Sequence, residues 1–197
     1  MKKYIWITIY FTVLIWSVIN PKDPFTWVLE VTPALIAGVL LLLTYNTFRL
    51  TPLLYILILV HCVVLMIGGH YTYAEVPFCD TLKEFFGFER NNYDKIGHFF
   101  QGFVPIILAR EILLRKNVVP NGMWLHFISL SIVLGVSAFY ELIEWWVALA
   151  TGENADAFLG TQGYIWDTQS DMAYALFGGV ISLIFLSKLH NKQLKNI

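Results

Sequence analysis

Residues 123–150 read MWLHFISLSIVLGVSAFYELIEWWVALA. The run exceeds the roughly 20 apolar residues that a helix needs to cross a bilayer. Its only carboxylates are Glu141 and Glu144. Both lie toward the C-terminal, negative end of the helix dipole, where carboxylates are disfavoured. They stand one turn apart, so they also repel each other. Acids placed this way inside a Trp- and Phe-rich segment point to function, the default for ionisable groups within a membrane.

The rest of the 197-residue chain repeats the pattern. Apolar runs at about 4–19, 27–45, 52–73, 93–114 and 169–189 join 123–150, for six predicted spans. Composition agrees: 57% of residues are hydrophobic, only 14% are charged, and the mean hydropathy is +0.63. An ordinary soluble domain is about 25% charged, so a soluble enzyme, a disordered chain and a disulfide scaffold are all excluded. Alternating strand-like patterning is absent, which excludes a β-barrel. The expected fold is all-α, a polytopic bundle of six transmembrane helices forming one integral membrane domain over residues 1–197.

The first run follows Met1, Lys2 and Lys3, lacks a small-x-small cleavage site and meets Asn20-Pro21, so it reads as an uncleaved span. Basic residues set the orientation. With the N-terminus inside, Lys2, Lys3, Arg49, Arg110, Arg115, Lys116, Lys188, Lys192 and Lys195 are cytoplasmic, against Lys22, Lys83, Arg90 and Lys95 outside. That bias satisfies the positive-inside rule and puts both termini in the cytoplasm. Residues 75–92 read as an interfacial helix grouping Leu82, Phe85, Phe86 and Phe88, and residues 151–166 as a lid or simple connection. A net charge of −1 gives no field to recruit nucleic acid. Cys62, in an apolar run, and Cys79, in a polar loop, read as two separate thiols.

Ionisable groups inside the spans gather at one level. Span four carries Asp94, His98 and Gln101 on one face, beside Lys95, and span six carries Asp167, Asp171 and Tyr174 at the same spacing. Span five adds Tyr140, Glu141 and Glu144; span three adds His70, and span two adds Glu30, which reads more simply as interfacial. All fall in the outer half. Six carboxylates and two histidines at one depth, with Lys95 the only basic residue nearby within a span, must share protons, bind a cation or line a wet cavity. Asp94, Asp167 and Asp171 have a plainer explanation as helix-start carboxylates. The inner half carries only Arg110 and Glu111, which are expected to snorkel to the cytoplasm.

The motifs Asp94-Lys95-Ile96-Gly97-His98-Phe99, Tyr140-Glu141-x-x-Glu144 and Asp171 followed by Gly178 resemble the VanZ-like membrane family. The whole chain more closely resembles the YjdF-like bacterial inner membrane proteins, through Gly69-His70-Tyr71-Thr72-Tyr73, Tyr93-Asp94-Lys95-x-x-His98 and Trp166-Asp167-Thr168-Gln169-x-Asp171-Met172. The resemblance implies a multi-pass protein of the bacterial inner membrane. Its VanZ-like side implies envelope chemistry and low-level teicoplanin resistance. Ala175 departs from that pattern, which has Asn there.

These readings converge on a site at the outer leaflet that acts on a lipid or lipid-linked substrate by metal-assisted or acid–base hydrolysis or transfer. Glu141, Glu144, Asp94, Asp167 and Asp171 are the candidate catalytic carboxylates. His70 and His98 are the candidate ligands of a divalent metal such as zinc or manganese, together with Asp94, Glu141 or Asp171. Gln101, Tyr140, Lys95 and Trp166 are candidate substrate contacts. The alternatives are a non-enzymatic protein that binds a lipid headgroup and a proton-linked transporter.

Overall fold

Prolines set where the helices begin. Pro24, Pro52, Pro77 and Pro105 each open a helix, where a missing N–H costs nothing and the fixed φ is already helical. The computed structural model describes residues 3–151 and 162–197, and among the described residues it contains helices and no strand. The helices are α1 (Lys3–Val18), α2 (Pro24–Thr44), α3 (Pro52–Tyr71), α4 (Pro77–Phe86), α5 (Tyr93–Phe103), α6 (Pro105–Arg115), α7 (Met123–Thr151) and α8 (Asp167–Leu194). Asp23 caps α2 by accepting the Thr26 N–H at 2.6 Å, and Thr51 caps α3.

Pro105 divides the predicted fourth span into α5 and α6 without ending it. Val104 keeps helical backbone angles and its N–H still reaches Phe100 O at 3.1 Å. Five segments are long and apolar enough to cross a membrane: α2, α3, α5 with α6, α7 and α8. The sixth expected span, α1, is apolar but has only 16 residues. At 1.5 Å per residue it extends about 24 Å, short of the ~30 Å hydrocarbon core.

Helix α3 forms the centre, burying Leu54, Leu57, Ile58, Cys62, Leu65 and Met66. Leu42, Leu43, Leu149, Ile184 and Phe185 instead face outward, as expected of helices solvated by lipid. The crossing that positions the site is α5 on α8. A Cβ on Gly102 would collide with the Ala175 carbonyl, and one on Gly178 with the Phe99 carbonyl. Small residues there let the two backbones meet. They also explain Ala175, which is fully buried against α5. One turn beyond this contact, α5 presents His98 and Asp94 opposite Asp171 and Asp167 of α8.

Residues 75–92 do contain a helix, α4, whose Phe78, Phe85 and Phe86 are exposed. It closes at Gly87, whose φ of +69° is left-handed. Cys79 is not in an open loop as the sequence suggested. It lies on the covered face of α4, and both cysteines are free and buried.

Candidate functional site

The acids of α5 and α8 are held by ion pairs. Lys95 Nζ lies 2.7 Å from Asp167 Oδ1, 2.5 Å from Asp171 Oδ1 and 3.6 Å from Asp94 Oδ2. Arg90, just before α5, reaches Asp167 Oδ1 at 2.5 Å and Asp94 Oδ2 at 3.5 Å. Asp94 and Asp167 lie in the first turns of α5 and α8, as helix-start carboxylates do, and the ion pairs give them partners beyond the helix ends.

His98 faces the other side of the same carboxylates. Its Nε2 stands 3.3 Å from Asp94 Oδ1, 3.8 Å from Glu141 Oε1 and 4.0 Å from Asp171 Oδ1. Nδ1 lies 3.1 Å from Gln101 Oε1, an acceptor, so Nδ1 carries the hydrogen. That fixes the ring and turns Nε2 toward the three acids. A lone pair aimed at carboxylates is repelled, so a proton or a metal ion belongs between them. One donor atom each from Asp94, His98 and Asp171 lies within 4.8 Å of the others, a spacing able to enclose one ion. Glu141 Oε1 is buried with no hydrogen-bond partner, and Tyr140 stands edge-on to His98 at 6.4 Å between ring centroids. Glu144 is buried one turn along α7.

The structure thus brings together Asp94, Lys95, His98, Gln101, Tyr140, Glu141, Asp167 and Asp171, from three helices. His70 is engaged elsewhere: its Nδ1 is 3.1 Å from Ser17 O, and its ring lies 4.3 Å from that of Trp16, so it belongs to the contact of α3 with α1. Trp166 is exposed at the head of α8. The lid expected over 151–166 falls largely on residues 152–161, outside the described residues. Its far end is anchored, with Gln162 exchanging hydrogen bonds with the Asn91 backbone at 3.0 and 2.9 Å. Tyr164 sits 5.7 Å from both Arg90 and Lys95.

Sequence reasoning missed Arg90, which it left in a loop. The Arg90 to Asp94 spacing of one helical turn was the available signal. It also undervalued Glu30. That residue is only 1% exposed, and neither carboxylate oxygen has a hydrogen-bond partner. It is a core residue of α2, not an interfacial one.

At the opposite end of the bundle, Arg110 and Glu111 do not snorkel. Both are completely buried with His190. Arg110 donates to His190 Nδ1 at 2.9 Å, so Nε2 carries the hydrogen and donates to Glu111 Oε2 at 3.0 Å. Glu111 also accepts from Thr51 Oγ1 and from Arg115, both at 2.8 Å. Glu111 has its partners inside the bundle, and Arg110 has partners for both terminal nitrogens, while its buried Nε has none. Between the two polar groups along the chain lie the fully buried Ile106, Ile107 and Val133.

Fold and site together define a polytopic helical membrane protein with a carboxylate–imidazole cluster enclosed by its helices. Residues 2–192 match the family described as "Predicted membrane protein (DUF2238)", and the chain belongs to that family. It is 52% identical over 183 residues to the inner membrane protein YjdF of Escherichia coli strain K12, covering 93% of this chain and 88% of that one. No solved structure matches it. The family and the apolar helices support a multi-pass protein of the inner membrane.

Proposed function

We propose that this chain is an envelope enzyme that hydrolyses or transfers part of a lipid or lipid-linked substrate at the outer leaflet. The topology proposed with it has α1 as a sixth, short span and both termini in the cytoplasm, on the strength of the basic-residue bias. Kinship with VanZ-like membrane proteins is part of the same proposal, resting on the Asp94–Phe99, Tyr140–Glu144 and Asp171–Gly178 motifs.

The observation that carries the reading is His98 Nε2, aimed at Asp94, Glu141 and Asp171, with the buried Glu141 Oε1 beside it left without a hydrogen-bond partner. Asp94, His98 and Asp171 suit a divalent ion such as zinc or manganese, which supplies Lewis acidity and a more acidic bound water. Glu141, with one oxygen unpartnered beside this triad, is placed to take a proton from the attacking group, and Glu144 to return one to the leaving group. Gln101 keeps the His98 ring in register, and Arg90 holds Asp167 at the head of α8. His70 has no part in the centre. A proton-linked transporter is the second reading, favoured by the buried, unpartnered hydroxyls of Ser129, Ser137 and Ser182, which stand with Ile106, Ile107 and Val133 along the chain between this cluster and the network around Glu111.

The test is direct. Purified protein is assayed for bound metal by elemental mass spectrometry and incubated with a bacterial polar lipid extract, whose products are read by mass spectrometry. The wild type should carry a divalent ion and convert at least one lipid, His98→Ala should lose both, and Glu141→Gln should keep the fold and lose conversion. A metal-free wild type whose lipid products match those of Glu141→Gln sinks the catalytic reading.

A further inference from the structure

The Lys95 ammonium occupies one of the oxygens that a metal ion at this site needs. Asp171 Oδ1, 2.5 Å from Lys95 Nζ, is the Asp171 oxygen that lies 4.0 Å from His98 Nε2. Asp94 is instead divided between the two, with Oδ1 toward His98 and Oδ2 3.6 Å from Lys95. An ion about 2.0–2.2 Å from Asp171 Oδ1 would stand within about 5 Å of the ammonium, and two cations so close repel strongly where the dielectric is low. Yet the site is not saturated by Lys95. Glu141 has a side chain only 6% exposed, its Oε1 faces His98 at 3.8 Å, and that oxygen has no hydrogen-bond partner.

Beside the cluster lies the space an ammonium needs in order to leave. A cavity of about 270 Å³ runs between α4 and the α5–α8 pair, lined by Lys95 itself with Leu82, Phe88, Asn92, Phe99 and Tyr174. Asn92 and Tyr174 offer acceptor oxygens there.

We propose that Lys95 is a built-in counter-cation that a divalent metal ion displaces: the ion takes Asp94, His98 and Asp171, and the ammonium swings, still protonated, into the cavity under α4. No covalent bond changes, and Asp167 and Arg90 remain paired. The inference rests on the metal-binding part of the function proposed above. It makes Lys95 the residue that sets metal affinity, and the α4 cavity a working part of the site.

Two variants of opposite expected sign test it, by titrating Mn²⁺ into the full chain in detergent with calorimetric detection. Lys95→Met removes the competing charge and should tighten Mn²⁺ binding at least tenfold. Leu82→Trp fills the cavity from α4, away from the ligands, and should weaken it at least tenfold. Phe85→Trp, on the exposed face of the same helix, should match the wild type. Should Lys95→Met fail to fold, as judged by its helical circular dichroism, the contrast of Leu82→Trp with Phe85→Trp decides alone. Wild-type-like or weaker binding by folded Lys95→Met, or wild-type-like binding by Leu82→Trp, overturns the displacement while leaving the metal site standing. Absence of Mn²⁺ binding from the wild type and every variant overturns the metal site and the displacement together.

Discussion

At His98 one hydrogen bond decides the chemistry of the opposite nitrogen. Gln101 accepts from Nδ1, so Nε2 is left to face Asp94, Glu141 and Asp171. Gln101→Leu removes that acceptor and frees the ring to turn, while every acid stays in place. Hydrogen-bond partners that orient metal-bound histidines are typically worth about 10–100-fold in affinity or activity. We expect Mn²⁺ affinity to fall by about that factor, and His98→Ala to abolish binding, both read by the same titration. Equal affinities for Gln101→Leu and the wild type would show that the ring is held by packing instead.

At the scale of elements, the α5–α8 crossing is the hinge on which the site depends. Gly178 lets α8 lie against the Phe99 carbonyl one turn from His98. Gly178→Leu has no space to enter and must part the helices, an overpacking cost of about 1–3 kcal/mol or more. The separation would carry Asp171 of α8 away from Asp94 and His98 of α5. The expected result is a lower thermal midpoint in detergent together with lost Mn²⁺ binding, whereas Gly135→Leu, in open space on α7, should preserve both. Helix α4 gives a second element-scale prediction. Burial pushes the Cys79 thiol above its usual range, so at neutral pH it carries less thiolate, the reactive form. Alkylation of Cys79 in the intact protein should be slow near neutrality and speed up as the pH rises through that elevated pKa. A cysteine at the exposed Glu84, with both native cysteines replaced by Ala, should react quickly with an impermeant maleimide from the periplasmic side, and one at Lys116 only after the membrane is opened. The reverse pattern would invert the proposed orientation.

Across the whole molecule the two ends of the bundle hold polar groups in different ways. Around the Glu111 carboxylate the donors and acceptors are matched, and Thr51, His190 and Arg115 tie α3, α6 and α8 together. Removing one partner of a buried charge network typically costs about 3–5 kcal/mol. Glu111→Ala should lower stability by that order in chemical or thermal unfolding without touching the His98 site. A small loss, under about 1 kcal/mol, would mean that water replaces the carboxylate. Around His98 the matching is incomplete: Glu141 Oε1 and both oxygens of Glu30 are buried without hydrogen bonds. One end is built to be rigid, and the other holds unsatisfied acids that only a ligand or protons complete.

The sequence by itself determined the apolar setting, the helical class and which acids share a face of one helix. Hydrophobic length and scarce charge are one-dimensional properties, and a helix converts spacing along the chain directly into a shared face. The spacing of Asp94, His98 and Gln101, and of Glu141 and Glu144, therefore placed each acid on a face of its own helix. What the chain could not encode locally is which faces meet. His70 turns toward Trp16 and Ser17 of α1, and Glu30, which reads as interfacial, is enclosed in the core of α2. Arg90 enters the cluster only because the loop folds back over Asp94 and Asp167. Arg110 and Glu111 lie near a helix end, where snorkelling is the local expectation, but the partners that keep them inside come from residues 51 and 190. Those outcomes depend on rotation about helix axes, which is fixed by close packing such as Gly102 on Ala175 and Gly178 on Phe99, contacts between residues some 75 positions apart.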